Sequence, residues 1–407
     1  MSNENQHIPS GYKPSPLGII PKDWEVKRLG DACDYVDYRG KSPNKSSSGV
    51  FLVTAKNIRD GHIDYDISKE FIPIDEFEET MRRGKAQVGD VLITTEAPLG
   101  HIAQIDNSNI ALAQRVIKYR GKAGLRNTYL KYYLMSEGFQ TILIANATGS
   151  TALGIKGSRL HQLPIIIPNQ QEQDSIITVL ELWDTAIAKQ TTLIEKLILR
   201  KRGLIQQLLT GKKRLKGFEG GTFHRLSNYI SECNRRNNGC KRVLSVTNTR
   251  GFILQEEQFD KIVASNDTSN YKVVRRGEFA YNPSRVNVGS LAMLNEYDEG
   301  ILSPMYIVFK ANENIDKSYL LQCLQSWWFR GHIPAYTQGS VRDSLSFDGL
   351  CSMKFNIPTL QEQKAISAIL EQADKEIEIQ KQKLSSLQSQ KRGLMQQLLT
   401  GKKRITK

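Results

Sequence analysis

The sequence predicts a mixed α+β protein of the α/β class. Two globular domains stand in tandem, each followed by a long helix, and the two helices pair as an antiparallel coiled coil with pseudo-twofold symmetry. Three observations predict this. A segment recurs at an offset of 190 residues, each copy carries an apolar seam of coiled-coil period, and the regions ahead of the copies share a diverged frame of short β-like runs.

The repeat opens as Ile167-Pro-Asn-Gln-Gln-Glu-Gln173 and again as Ile357-Pro-Thr-Leu-Gln-Glu-Gln363. It closes as Lys201-Arg-Gly-Leu-Ile-Gln-Gln-Leu-Leu-Thr-Gly-Lys-Lys-Arg214 and as Lys391-Arg-Gly-Leu-Met-Gln-Gln-Leu-Leu-Thr-Gly-Lys-Lys-Arg404, without a gap. Pro168 and Pro358 stop the preceding strand-like run, and the Gln/Glu-rich stretch after each propagates helix. In the first copy, Ile176, Leu180, Trp183, Ile187, Ile194, Leu197 and Leu204 follow alternating steps of four and three, with Gln190 and Lys201 in the same seam. The second copy gives Ile366, Leu370, Ile377, Leu384, Leu387 and Leu394, with Gln380 and Lys391 in the matching slots. Apolar residues on that spacing make a helix–helix seam, and polar ones within it fix register and partner choice. Thr210-Gly211 and Thr400-Gly401 end each helix. About 40 helical residues span about 60 Å.

These boundaries divide the chain into 1–165, a first globular domain; 166–215, its helix; 216–356, a second globular domain; and 357–407, the second helix. The globular parts match sparsely: Thr128-Tyr129-Leu130 with Ser318-Tyr319-Leu320, and Val88–Thr94 with Arg276–Asn282. Runs such as Val50–Thr54, Val91–Thr95, Val243–Val246 and Met305–Phe309 alternate with Gly, Asn and Ser turns, as short strands do. Similar frames with dissimilar loops suggest two modules doing one job on two targets.

With 407 residues, 39% hydrophobic and 24% charged, the composition is that of a folded globular chain. No apolar run is long enough to cross a membrane, and the polar start lacks a signal-peptide pattern. Five scattered cysteines fit reduced thiols in the cytoplasm better than a disulfide framework. The net charge of +14 points to an anionic partner, nucleic acid first. Most of that excess sits in 201–216 and 391–407, which leaves the globular domains nearly neutral and their DNA contacts confined to local patches. Either phosphates or acidic protein surfaces could face those two basic helix ends.

Catalytic patterns are missing. Gly149–Gly154 resembles a phosphate loop, but Ile155 holds the lysine slot and Lys156 comes one residue late. Tyr281-Asn-Pro-Ser284 approaches the Asn-Pro-Pro-aromatic loop of amino-methyltransferases without its second proline or its aromatic, and no glycine-rich cofactor turn precedes it. Cys233 and Cys240 lack zinc-ligand spacing even with His224 nearby, so no metal site is expected.

The loops instead carry side chains that read base edges: Arg or Lys for guanine, Asn or Gln for adenine, with Ser and Thr on phosphates. The first domain offers Arg39, Lys41, Lys56, Asn57, Thr95, Glu96, Gln114 and Arg115. The second offers Arg235, Asn248, Arg250, Asn282, Arg285 and Arg342.

With the Ile-Pro…Gln-Glu-Gln openings and Leu-Leu-Thr-Gly-Lys-Lys-Arg endings, the whole chain resembles the specificity subunit of type I restriction-modification enzymes. Gly18–Gly30, with Trp24, looks like that family's N-terminal element, whereas Gly217–Arg225 carries no such tryptophan. Asp37–Lys41, Thr54–Asn57 and Thr95–Gly100 look like one recurring version of a recognition domain; Tyr281–Arg285 with Ser303–Tyr306 looks like another. The resemblance implies a non-catalytic chain that binds an asymmetric, bipartite double-stranded DNA target, one half per domain, with the helices as a ruler. It also implies two methyltransferase (modification) subunits using S-adenosylmethionine to methylate adenine N6, and restriction/translocase subunits using ATP and Mg²⁺. This chain itself would hold no cofactor. A system with a fused methyltransferase-nuclease partner, or a DNA-binding coiled-coil scaffold without sequence readout, are the alternatives.

Overall fold

The chain's computed structural model describes residues 8–39, 42–59, 61–149, 152–258, 267–337 and 344–405. Six helices organise it: α1 (Asn127–Met135), α2 (Glu137–Ala145), α3 (Gln170–Leu209), α4 (Lys317–Gln325), α5 (Trp327–His332) and α6 (Leu360–Leu399). The two long helices, α3 and α6, are the repeat segments, and both stop where the Thr-Gly pairs stand. Gly211 and Gly401 take φ of +72° and +70°, and the N–H of each donates back to Leu208 and Leu398, so a left-handed residue satisfies the last carbonyls.

Contacts group the described chain into two compact units that cut both long helices midway. The first comprises residues 1–190 and 383–407, the second residues 191–382. Each unit therefore owns one globular domain, the start of the helix after it, and the end of the other long helix.

In the first unit a four-stranded antiparallel sheet runs Leu99–Gln104, Val91–Thr95, Val116–Gly121, Cys33–Asp37. A second sheet of Ile110–Leu112, Val50–Val53 and Phe71–Ile72 carries the loops beside it. Strand Pro164–Ile167 pairs with Glu25–Arg28 and leads into α3. The main core gathers Trp24, Tyr119, Tyr129, Phe139, Ile176 and Leu180 with Leu398 and Leu399 of α6. An N-terminal hairpin, Tyr12–Ser15 with Gly18–Pro21, packs on the end of α6 through Ile20 and Pro21, and the Tyr12 hydroxyl donates to the Gly401 carbonyl.

The second unit repeats the frame. Its sheet runs Leu291–Met293, Phe279–Tyr281, Ile307–Ala311, Ile230–Glu232, and Thr222–Arg225 pairs with Lys354–Ile357 ahead of α6. Its core joins Phe279, Phe309, Tyr319 and Phe329 to Leu208 and Leu209 of α3 and to Ile366 and Leu370 of α6. Ser136 and Ser326 cap α2 and α5 alike, each accepting from the backbone N–H three residues on.

Every predicted seam position is buried or half-buried, from Ile176 at 1% exposed and Leu180 at 0% to the half-buried Trp183, Leu204, Leu384 and Leu394. The helices run antiparallel within each unit, because higher numbers on one meet lower numbers on the other. In the first unit Asp184 of α3 meets Lys391 of α6, and Glu172 meets Arg404. In the second, Lys201 Nζ meets Asp374 at 2.6 Å and Arg214 pairs with Glu362. The seam lysines, expected only as register-setting polar residues, are thus paired cations. Likewise Arg214 and Arg404, the arginines of the Gly-Lys-Lys-Arg endings, are spent on Glu362 and Glu172; Arg202, Arg392, Lys212, Lys213, Lys402 and Lys403 remain exposed.

The same motifs hold each helix start. Gln173 accepts from the Arg126 N–H at 2.8 Å and donates to the Gly124 and Pro168 carbonyls. Gln363 accepts from the Asp316 N–H and donates to the Asn314 and Pro358 carbonyls. The Gln-Glu-Gln opening of one repeat is thus a lock for its own domain and, through its glutamate, for the Gly-Lys-Lys-Arg ending of the other.

Candidate nucleic-acid interface

In the first unit the candidate side chains gather at the ends of the four-stranded sheet. Arg39, just past strand Cys33–Asp37, forks onto Asp37, with Nε 3.0 and 2.9 Å from its two oxygens. Burial pushes the Asp37 carboxyl up, but these hydrogen bonds prevail and hold it below its ordinary value. Arg83 donates to the carbonyls of Asp37 (2.9 Å) and Arg39 (2.7 Å), fixing the loop that presents Arg39. Arg115 and Glu96, both exposed, pair at 2.9 Å across the next strand end. Gln114 accepts from the Ser42 hydroxyl at 3.0 Å, and Gln114, Arg115 and the exposed Lys56 line one cleft of about 740 Å³ with Lys45.

Two candidates turn inward. Asn57 is fully buried: its Oδ1 accepts from the Thr54 N–H and hydroxyl, and its Nδ2 donates to the Asp64 and Ser68 carbonyls. A side chain with every donor and acceptor so engaged shapes the loop under Lys56 and has no edge left for a base. Thr95, 2% exposed, holds the Arg115 backbone and so places Glu96.

In the second unit Asn248 and Arg250 sit exposed in the turn joining Leu244–Thr247 to Gly251–Leu254. Asn248 abuts Gly289 in the loop after the exposed Arg285. A Cβ at Gly289 would lie 3.3 Å from the Asn248 Cβ and 3.4 Å from the Arg330 guanidinium. That glycine has φ +98°, so the loop closes tightly enough to bring the three elements onto one face. Arg330 escaped sequence reading because nothing local marks it; its place on α5 beside a distant loop is a tertiary fact. Arg83 and Lys45 were missed for the same reason.

Arg235 and Asn282 are held by internal partners. Arg235 is half-buried and paired with Glu278, which also accepts from the Arg275 N–H, an internal brace. Asn282, 7% exposed, accepts from the Ser284 N–H at 3.1 Å and shapes its own turn. The adjacent Tyr281 is fully buried, its hydroxyl on the Leu345 carbonyl, so it offers no face to a base. Lys41 and Arg342 lie outside the described residues.

Among the described residues no group of three or more His, Cys, Asp or Glu could hold a metal ion, and no helix is long and apolar enough to cross a membrane. What both faces present is exposed guanidinium, amide and ammonium groups on loops braced by buried polar side chains. That is equipment for reading hydrogen-bonding edges and phosphates.

A family model described as the type I restriction modification DNA specificity domain matches residues 21–198 and 231–389. Two curated relatives come from Methanocaldococcus jannaschii. The type I restriction enzyme MjaVIII specificity subunit is 23% identical, with 95% of this chain and 94% of that protein covered. The putative type I restriction enzyme MjaX specificity subunit is 24% identical, with 97% of each covered. Among solved structures, a type I restriction-modification S subunit from M. genitalium superposes with a TM-score of 0.54 at 15% identity, over 92% of this chain and 96% of that one. A chain from a structure described as the basis of complex assembly and conformational transition of the type I R-M system gives 0.60 at 15% identity, over 94% of this chain and 99% of that one.

Proposed function

Because the chain belongs to the type I restriction-modification DNA specificity family, we propose that it reads an interrupted, asymmetric duplex target, one half per globular domain. The observation that carries this reading is a shared frame with unlike faces. Both units build the same four-stranded order, yet the first presents Arg39, Lys56, Glu96, Gln114 and Arg115, and the second Asn248, Arg250, Arg285 and Arg330. Different donors and acceptors on one frame select different base edges. The four segments 1–165, 166–215, 216–356 and 357–407 serve as reader, spacer, reader, spacer. The spacers set the gap and the assembly carries two methyltransferase subunits and the restriction subunits in the cytoplasm. Catalysis, with S-adenosylmethionine, ATP and Mg²⁺, belongs to those partners, and a flipped adenine enters the methyltransferase.

Domain exchange tests the reading. Replacing 216–356 by another reader of this family should change one half of the methylated motif in a host methylome and leave the other intact. Both halves changing, or neither, would refute it. Lengthening both helices by one heptad adds about 10 Å, comparable to about 3 bp, and should widen the preferred gap. A single partner polypeptide that both methylates and cleaves is the second arrangement this surface could serve, and genome neighbours distinguish the two.

A further inference from the structure

The reading face of the first unit carries an acid. Glu96, half exposed, stands between Thr95 and Ala97, and Ala97 lines the same cleft as Lys56, Gln114 and Arg115. Against a duplex, a carboxylate there is repelled by phosphates and has only acceptors to offer.

Its backbone is fixed from both sides. The Thr95 N–H donates to the Arg115 carbonyl at 3.0 Å, the Ile155 N–H donates to the Thr95 carbonyl at 2.9 Å, and Glu96 itself bridges Gly154. A Cβ at Gly154 would lie 3.3 Å from that of Glu96, so the neighbouring loop closes directly against it. Ala97 holds φ +44°, a conformation that residues with a Cβ seldom adopt. The carboxylate is thus presented from a defined point.

The ion pair leaves the useful edges free. Glu96 Oε1 meets Arg115 Nε at 2.9 Å, and among the described residues nothing bonds Glu96 Oε2 or either Arg115 Nη. Arg39 is already held by Asp37, so Glu96 is not needed to place it. A free guanidinium fork fits the N7 and O6 acceptors of guanine, and a free carboxylate oxygen fits an exocyclic amine. In the major groove a G·C pair offers both side by side, whereas an A·T pair offers an amine without two adjacent acceptors.

Resting on the reading proposed above, we propose that Glu96 accepts a hydrogen bond from the N4 amine of a cytosine in the first half-site while Arg115 forks onto the paired guanine. The ion pair then reads one G·C pair as a unit.

The test is competition binding by the full chain to duplexes built from the motif methylated in the host. A cytosine analogue without the amine, 2-pyrimidinone, replaces each first-half cytosine in turn. The wild-type chain should bind about tenfold more weakly at one such position. Glu96→Ala should lose about as much on the natural duplex, show no further loss with the analogue, and keep its affinity for an unrelated duplex. Glu96→Gln, whose amide oxygen still accepts, should recover part of the preference. If Glu96 serves only to orient Arg115, Glu96→Ala keeps the full analogue penalty, and that overturns the proposal. So does a first half-site in which no cytosine amine matters, or only an adenine amine does. A wild-type chain with no base preference in that half would instead remove the reading on which the proposal rests.

Discussion

The two units close the same lock with different parts. In the first, Arg404 Nε and Nη2 reach Glu172 at 3.0 and 2.7 Å, its Nη1 and Nη2 reach Asp23 at 2.8 and 2.6 Å, and the Trp24 indole N–H donates to Glu172 at 2.8 Å. In the second, Arg214 meets Glu362 alone, and Glu362 Oε1 and Arg214 Nε have no partner among the described residues. The difference traces to sequence: strand Glu25–Arg28 is preceded by Asp23-Trp24 and a hairpin, whereas Thr222–Arg225 is preceded by Gly220-Gly221. A repeated motif can thus fix a fold twice while its support differs, and the less supported copy depends more on each remaining partner.

Removing the arginines breaks that comparison most sharply. Arg214→Ala leaves Glu362, 1% exposed, as a buried carboxylate without a cation, which costs about 3–5 kcal/mol. Arg404→Ala leaves Glu172 still accepting from Trp24 and should cost about half as much. Denaturant unfolding with hydrogen exchange resolved by unit measures both. Equal losses would show that Trp24 adds no support.

The reading faces come next. Arg115→Ala and Arg285→Ala should each relax discrimination by about 1–3 kcal/mol at bases in one half-site only, read by binding to duplexes substituted position by position. Asn57→Ala should instead lower stability and weaken binding at all first-half positions, since Asn57 braces the loop rather than touching a base. Loss confined to one base position would return Asn57 to the readers.

These outcomes mark how far the sequence was legible. The long helices, their ends and their antiparallel pairing were written in period and repetition, because a seam and a left-handed glycine need only local spacing. Short strands such as Val91–Thr95 were visible as β-branched runs. What was hidden is partnership at a distance. Nothing near Arg404 in sequence announces Glu172 or Asp23, and nothing near Arg330 announces Asn248. Conversely Asn57, Thr95 and Asn282 have the right chemistry for DNA but are buried, and Arg235 is half-buried on Glu278; burial depends on packing that composition does not encode. The charge excess lies in the helix-end segments, but four of its cations, Lys201, Arg214, Lys391 and Arg404, pair with acids of the opposite helix.

The seam lysines differ between units more mildly. Lys391 pairs with Asp184, lies 5.2 Å from the Tyr132 ring, and shares Asp184 with the Tyr132 hydroxyl. Lys201 pairs with Asp374, whose other neighbour is the Gln322 amide at 3.5 Å. Lys391→Met should therefore cost about 1–2 kcal/mol and Lys201→Met about 0.5–1 kcal/mol. A reversed order would show that the tyrosine contributes nothing to the pair.

The smallest difference is in pH. Hydrogen bonds from Arg404 hold the Asp23 carboxyl below its ordinary 3.8, and the second unit has glycine in that place. A carboxylate whose folded pKa is depressed contributes stability that is present above about pH 4 and lost as pH falls through the folded value. Because Asp23 is nearly half exposed, its share is under about 1 kcal/mol. Between pH 5 and pH 3 the first unit should accordingly lose slightly more hydrogen-exchange protection at the α6 terminus than the second loses at the α3 terminus, after correction for intrinsic rates. Asp23→Asn should remove that excess, and an excess that survives the substitution would assign it to other carboxylates of the first unit, such as Asp37 on Arg39.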